Sequence, residues 1–261
     1  MVVEPIHSTA NQPAATEPDA IVVVIPTYNE RENLPSLVPK ILALGDAYRV
    51  LVVDDNSPDG TGPLADDLAR AHPGRVRVLH RPAKAGIGPA YVAGFRAALA
   101  SDAALVAAMD ADHSHDPADL PRLVAAAAAA DLVLGSRYVP GGGTRGWPLP
   151  RRLLSRLGGV YARRVLGVPV ADLTGGFKVF RRATLAGLDL DAVRADGYGF
   201  QIETTYRVLR RGGRVAEVPI VFTDRVAGAS KLSRRIILEA ALLVWRLRLQ
   251  RLAKPSIASR D

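Results

Sequence analysis

Over its first half the chain alternates between short apolar runs and longer amphipathic stretches. "IVVVIP" (21–26) is a β-branched run and reads as a buried strand. "ERENLPSLVPKILAL" follows, with Leu34, Leu37, Val38, Ile41 and Leu42 at helical spacing. The alternation continues through strand "YRVLVVDD", helix "TGPLADDLARAH", strand "RVRVLH", helix "GPAYVAGFRAALA", strand "ALVAAMD", helix "PADLPRLVAAAAAA" and strand "DLVLGSRY". Strands separated by helices of this length predict βαβ crossovers and an α/β fold with a mostly parallel sheet. Ligands of such sheets bind beyond the carboxyl ends of the strands. The segments "TYNE", "DDNSPDG", "HRPAKAGIG", "DADHSH" and "GSRY" all stand at those ends, so five polar clusters are expected on one rim.

After Tyr138 the pattern changes. "VPGGGTRGWPLP" reads as a Gly/Pro loop and residues 151–168 as a basic helix. "ADLTGGFKVFRR" and "EVPIVFTDR" read as shorter strands, with "GFQIETTYRVLRRGG" between them as a helix ending at a glycine pair. The expected organisation is a flexible tail over 1–20, one domain over 21–230, and a basic amphipathic helix and tail over 231–261. The first residues have no basic n-region and no apolar h-region, so they do not read as a secretory signal.

Composition narrows the chemistry. The 261 residues include no cysteine, which excludes disulfides, Cys-ligated zinc and thiol catalysis. A net charge of +8 favours anionic partners: nucleic acid, an acidic membrane surface or phosphorylated ligands. The basic residues mostly accompany apolar helical faces, and no aromatic-plus-basic binding motif appears, so nucleic acid is not the expected partner. In 151–168, Leu153, Leu154, Leu157, Val160, Tyr161 and Val165 share one helical side, and Arg152, Arg156 and Arg163 gather on another. The C-terminal "SKLSRRIILEAALLVWRLRLQRLAK" repeats the theme, with Trp245 suited to an interface. Arg164 falls among the apolar positions of the first helix, which reads either as lying on an anionic membrane surface or as packed on the core with solvated arginines, and the C-terminal helix is expected at the membrane surface. "IILEAALLVW" is too short to span one and contains Glu239.

The rim offers several candidate groups. Tyr28 can pack on a flat base, and Glu30 and Asp55 can take sugar hydroxyls or base N–H groups; as isolated residues, helix caps and polar turns explain them equally well. Lys84 can face a phosphate or merely solvent. The glycines at 86, 88 and 94 do not make a dinucleotide fingerprint, because Tyr91 stands where the third glycine belongs. In "MDADHSHDP", Asp110 and Asp112 alternate on an extended backbone and can point to one side. Their oxygens suit Mg²⁺ or Mn²⁺ and leave positions for diphosphate oxygens. Asp116 and Pro117 read as the cap and first residue of a helix. Neither His113 nor His115 is given a chemical role.

Taken together, "IPTYNERENLP", "VVDDNSPDGT", "GIGPAYVAGF", "MDADHSH", "GSRYVPGGG", "DLTGGFKVFRR", "GYGFQIE" and "VPIVFTDRVAGASKL" resemble glycosyltransferase family 2, which has the GT-A fold. Within it they look most like dolichol- or polyprenol-phosphate mannose synthases. The resemblance implies nucleoside binding by Pro26, Tyr28, Glu30, Val53 and Asp55, and metal and diphosphate binding by Asp110, Ala111 and Asp112. It implies phosphate binding by Arg137, Arg225 and Lys231, and places Gln201 and Glu203 near the active site on the acceptor side. The implied partners are GDP-mannose, a polyprenol monophosphate, an anionic membrane surface at its cytoplasmic face and a membrane protein as a candidate anchor. The rival donor is UDP-glucose. Because a lipid monophosphate is already anionic, the transfer needs no general base, and inversion at the sugar carbon is expected.

Overall fold

The computed structural model describes residues 20–193, 195, 197–224 and 234–253, with the side chains of 234–240 and 251–253 left aside. In chain order the elements are β1 (Ile21–Thr27), α1 (Leu34–Leu42), β2 (Tyr48–Asp54), α2 (Thr61–Ala71), β3 (Val76–His80), α3 (Ile87–Leu99) and β4 (Leu105–Ala108). Then come α4 (Leu120–Ala126), β5 (Leu132–Ser136), β6 (Gly143–Arg145), α5 (Leu149–Leu166), β7 (Lys178–Arg181) and α6 (Arg182–Ala186). The last are α7 (Gly197–Arg210), β8 (Val215–Pro219), β9 (Val221–Thr223) and α8 (Arg234–Ala253).

The main sheet runs β3-β2-β1-β4-β7-β5-β8, and only β7 is antiparallel to its neighbours. The expected mostly parallel α/β architecture, the GT-A arrangement, is therefore present. Alternate residues of β1 serve opposite faces. Val22 and Val24 pack with α3, while Ile21, Val23 and Ile25 pack with α1. A strand sandwiched between helices has no wet face, which is why this run is apolar without alternation. The chain goes outward from β1 to β2 and β3, then crosses back to β4 on the other side of β1. That reversal makes a topological switch point at the carboxyl ends of β1 and β4, the place where ligands of such sheets bind.

Three expectations change in detail. The helix read over 117–130 is a short 3₁₀ turn (Pro117–Asp119) followed by α4, which stops at Ala126. The alanine run beyond it does not continue because Arg181 takes the carbonyls of Ala127, Ala128 and Ala130. The strand read in "EVPIVFTDR" is broken at Ile220. Its first part pairs with β5 as far as Pro219, which has no N–H to extend the ladder. Its second part, β9, pairs with β6 in a separate two-stranded sheet. The Gly/Pro loop after Tyr138 thus contains a strand, β6, that the composition hid.

Candidate active site

The expected clusters do meet on one rim, stitched by side chains. Asn29 N–H donates to Ser57 Oγ (3.1 Å), Glu30 N–H to Thr61 Oγ1 (3.0 Å), and Ser57 Oγ to Asp54 Oδ1 (2.5 Å). Asn29, Asn56 and His113, just beyond β1, β2 and β4, are the only non-glycine residues of the described chain with positive φ, at 62°, 57° and 59°. Such backbone is costly for residues with a Cβ and concentrates at functional sites. The strain here lies at the carboxyl edge.

On the donor side, Pro26, Tyr28 and Glu30 are partly exposed at the end of β1. Lys84 lies over the Tyr28 ring, 3.8 Å from its centroid, so the lysine and the platform expected to stack a base are neighbours. Glu30 Oε2 accepts from Asn33 Nδ2 at 2.6 Å. The Val53 side chain is wholly buried, which leaves only its backbone for a nucleoside. Asp55 is also buried; Arg81 Nη1 donates to its Oδ1 (2.5 Å) and Ala85 N–H to its Oδ2 (3.3 Å). Asp55 therefore orders the loop after β3.

The segment after β4 carries the carboxylate pair. Asp110 and Asp112 are both partly exposed, with Ala111 buried between them. Tyr91 Oη donates to Asp110 Oδ1 at 2.9 Å, and Ser114 N–H donates to Asp112 Oδ1 at 3.1 Å. The Asp110 N–H donates to Nδ1 of His115 at 3.3 Å. His115 is buried and stacked on Phe177 at 4.9 Å. Burial lowers its basicity, opposed by the charges of Asp110 and Asp112, so it stands as a neutral acceptor. His115 thus has a role in setting the Asp110 backbone, which its place in the sequence did not reveal. His113 instead bridges to Ser36 Oγ of α1 at 2.8 Å. Asp116 accepts from Ala118 N–H at 3.0 Å, with Pro117 opening the turn, as expected of a cap.

No group of three or more Asp, Glu, His or Cys side chains placed to hold a metal occurs among the described residues, so the carboxylate pair is not a closed metal centre made by protein side chains. Carboxylate oxygens are the donors a hard cation shared with a diphosphate takes. The residues present fit Mg²⁺ or Mn²⁺ on those terms.

The groups after β5 behave otherwise. Arg137 is buried and forked onto Asp172, with Nε–Oδ2 and Nη2–Oδ1 distances of 2.7 Å; Nη2 also reaches Thr174 Oγ1 at 2.7 Å. Burial would push the Asp172 carboxyl up, but the guanidinium outweighs it and holds the group below its usual range. The expectation that Arg137 clamps a phosphate therefore meets a guanidinium already matched to a protein carboxylate. Glu217 of β8 in turn accepts the N–H groups of Ala171 (2.7 Å) and Asp172 (2.9 Å). Neither Asp172 nor Glu217 was identifiable from sequence, because each partner lies tens of residues away.

Gln201 and Glu203 are buried on α7. Glu203 pairs with Arg207 at 2.6 Å and accepts from Ala195 N–H at 3.1 Å. Gln201 Nε2 and Asp110 Oδ2 stand 3.4 and 3.5 Å from where a Cβ on Gly176 would be, so Gln201 borders the carboxylate pair while Glu203 faces its own helix. Lys178 is buried with them, its ammonium donating to Gln201 O (2.7 Å) and Thr204 Oγ1 (3.0 Å). Arg225 and Lys231, the other two expected phosphate ligands, lie outside the described residues.

Residues 22–188 match the family model described as glycosyl transferase family 2. The chain is 50% identical to a polyprenol monophosphomannose synthase of Mycolicibacterium smegmatis over 93% of each chain. It is 47% identical to an undecaprenyl-phosphate mannosyltransferase of Micrococcus luteus, over 87% of this chain and 93% of that one. Among solved structures it is similar to glucosyl-3-phosphoglycerate synthase from Mycobacterium tuberculosis, crystallised with Mn²⁺, uridine diphosphate and glucosyl-3-phosphoglycerate. The TM-score is 0.64 at 23% identity, over 92% of this chain and 82% of that one, a likeness of fold. The carboxylate pair at the switch point and the match along most of the chain lead to one assignment: the chain belongs to glycosyl transferase family 2.

Proposed function

We propose that this enzyme transfers mannose from GDP-mannose to a polyprenol monophosphate, with inversion at the sugar carbon. The observation that carries the reading is the 50% identity, along 93% of both chains, to a relative named for that product. Pro26, Tyr28, Glu30, Val53 and Asp55 hold the nucleoside in this reading. Asp110 and Asp112, with the backbone at Ala111, hold the diphosphate through Mg²⁺ or Mn²⁺. A bound divalent cation supplies neutralisation of the charge that develops on the leaving diphosphate. Arg225 and Lys231 add to it. Arg137 contributes less, since Asp172 balances its charge; its role is to fix the loop beside the acceptor. Gln201 borders the same space, and Glu203 supports α7. The acceptor phosphate is an anionic nucleophile that needs no proton removed, so neither carboxylate is needed as a base.

The lipid acceptor calls for a membrane surface. On α5 the buried positions are the small Gly159 and Ala162 with Leu166, while Leu149 is 72% and Leu153 and Leu157 each 57% exposed. Helix α8 packs against α5 and leaves Trp245 and Leu249 exposed beside Arg246. A helix that buries its small residues and exposes its leucines is suited to an apolar medium with basic residues at the headgroups. Among the described residues no helix is long and apolar enough to cross a membrane. The reading is peripheral attachment at the cytoplasmic face, with a membrane protein as a further anchor.

Incubation with a polyprenyl phosphate and labelled GDP-mannose or UDP-glucose tests the donor and the acceptor together. Label entering a mild-acid-labile lipid from GDP-mannose alone is the expected result. Labelling from UDP-glucose alone would assign the glucosyl reaction instead.

A further inference from the structure

Asp110 is gripped from inside the protein by a residue to which the sequence motifs give no role. Tyr91, on α3, is fully buried. Its ring stacks on Phe200 of α7 (centroids 5.6 Å apart, planes 4° apart) and tilts against Phe95 at 5.7 Å. A ring wedged between two others cannot swing, so its hydroxyl has one direction, and that direction ends at Asp110 Oδ1, 2.9 Å away. The other carboxylate oxygen, Oδ2, lies on the side of Gly176, where a side chain would stand 3.5 Å from it.

The kind of donor matters. Asp55, Asp172 and Glu203 each meet an arginine, which offsets their charge. Asp110 meets a phenol, which orients a carboxylate without bringing a positive charge to it. An arginine at that place would compete with a cation. A neutral donor prepares the oxygen for one, as outer partners of metal ligands do.

We infer that Tyr91 is a positioning residue for cation binding: its hydroxyl pins Oδ1 of Asp110 and presents Oδ2 to the metal–diphosphate site. This rests on the proposed role of Asp110. The test is Tyr91→Phe, which removes one oxygen and keeps the stacked ring. Mn²⁺ binding is read directly by the loss of the free-ion EPR signal in the presence of GDP. The Mn²⁺ midpoint is expected to weaken by about tenfold, with turnover at saturating Mn²⁺ and the thermal melt largely retained. A purely structural role would move the melt and not the midpoint. Should Tyr91→Phe fold poorly, Phe200→Leu, which loosens the ring but keeps the hydroxyl, is expected to weaken Mn²⁺ in the same direction. An unchanged midpoint in the folded variant overturns the inference alone. A wild-type protein that binds no Mn²⁺ with GDP or UDP overturns the metal role of Asp110 and this inference with it.

Discussion

The Asp172 carboxylate closes on the Arg137 guanidinium through two 2.7 Å contacts, and both side chains are sealed from solvent. Removing one charge of such a pair strands the other in a low-dielectric site. Asp172→Asn is expected to destabilise the fold by roughly 3–5 kcal/mol, read by chemical denaturation. The double variant Arg137→Met/Asp172→Leu is expected to recover most of that loss. Transfer by the double variant then reports whether the arginine also serves the acceptor; wild-type turnover would mean that it does not.

Asp112 presents a different case, since its carboxylate is partly exposed at the switch point. Asp112→Ala is expected to lower transfer by at least about a hundredfold, with the circular dichroism spectrum and melt unchanged. Full activity in the folded variant with Mg²⁺ or Mn²⁺ would remove Asp112 from the site.

Lys178 makes stability depend on pH. Burial pushes its ammonium down to about 7 against an ordinary value of 10.5, partly opposed by the charge of Asp172. Between those values the unfolded chain holds the proton and the folded one does not. Stability from this group therefore rises with pH across that window, by up to about 1.4 kcal/mol per pH unit. Below pH about 7 both states are protonated and the dependence vanishes. Denaturation midpoints taken from pH 7 to 9 should climb in the wild type and climb less in Lys178→Met. Parallel profiles would show that the folded lysine keeps its ordinary basicity.

Gly94 lets α3 approach the sheet. A Cβ there would collide with Val24 Cγ1 and stand 2.9 Å from Val53 Cγ2. Gly94→Ala is expected to cost about 1–3 kcal/mol by overpacking, and Val24→Ala in the same chain to return part of it. If the two changes simply add, the close approach is not the cause.

The exposed leucines of α5 predict membrane binding. The wild type should co-sediment with anionic phospholipid vesicles at low salt and less well as salt rises. Replacing Leu153, Leu157 and Trp245 by Gln should weaken partitioning by at least about tenfold. No sedimentation of the wild type with anionic vesicles at low salt would dismiss the surface.

The alternation of apolar runs and amphipathic stretches was enough to name the first five strands of the main sheet within a few residues, because a parallel sheet covered on both faces demands apolar strands. It was also enough to bring the polar clusters to one rim, because in a βαβ chain every strand end faces the same way. The Asp110–Asp112 pair was legible for the same local reason. What the residues could not disclose was pairing over distance. The break at Ile220, which sends β9 to a separate sheet, depends on the β6 segment, 78 residues upstream in register between Gly143 and Val221. The capture of Arg137 by Asp172 and the bonding of Tyr91 to Asp110 are likewise contacts between elements. A helical tyrosine with Phe95 four residues on reads simply as core, since periodicity reports which face is buried and not what the buried hydroxyl meets. Only packing decided that Tyr91, which spoils a glycine fingerprint in the sequence, reaches the Asp110 carboxylate.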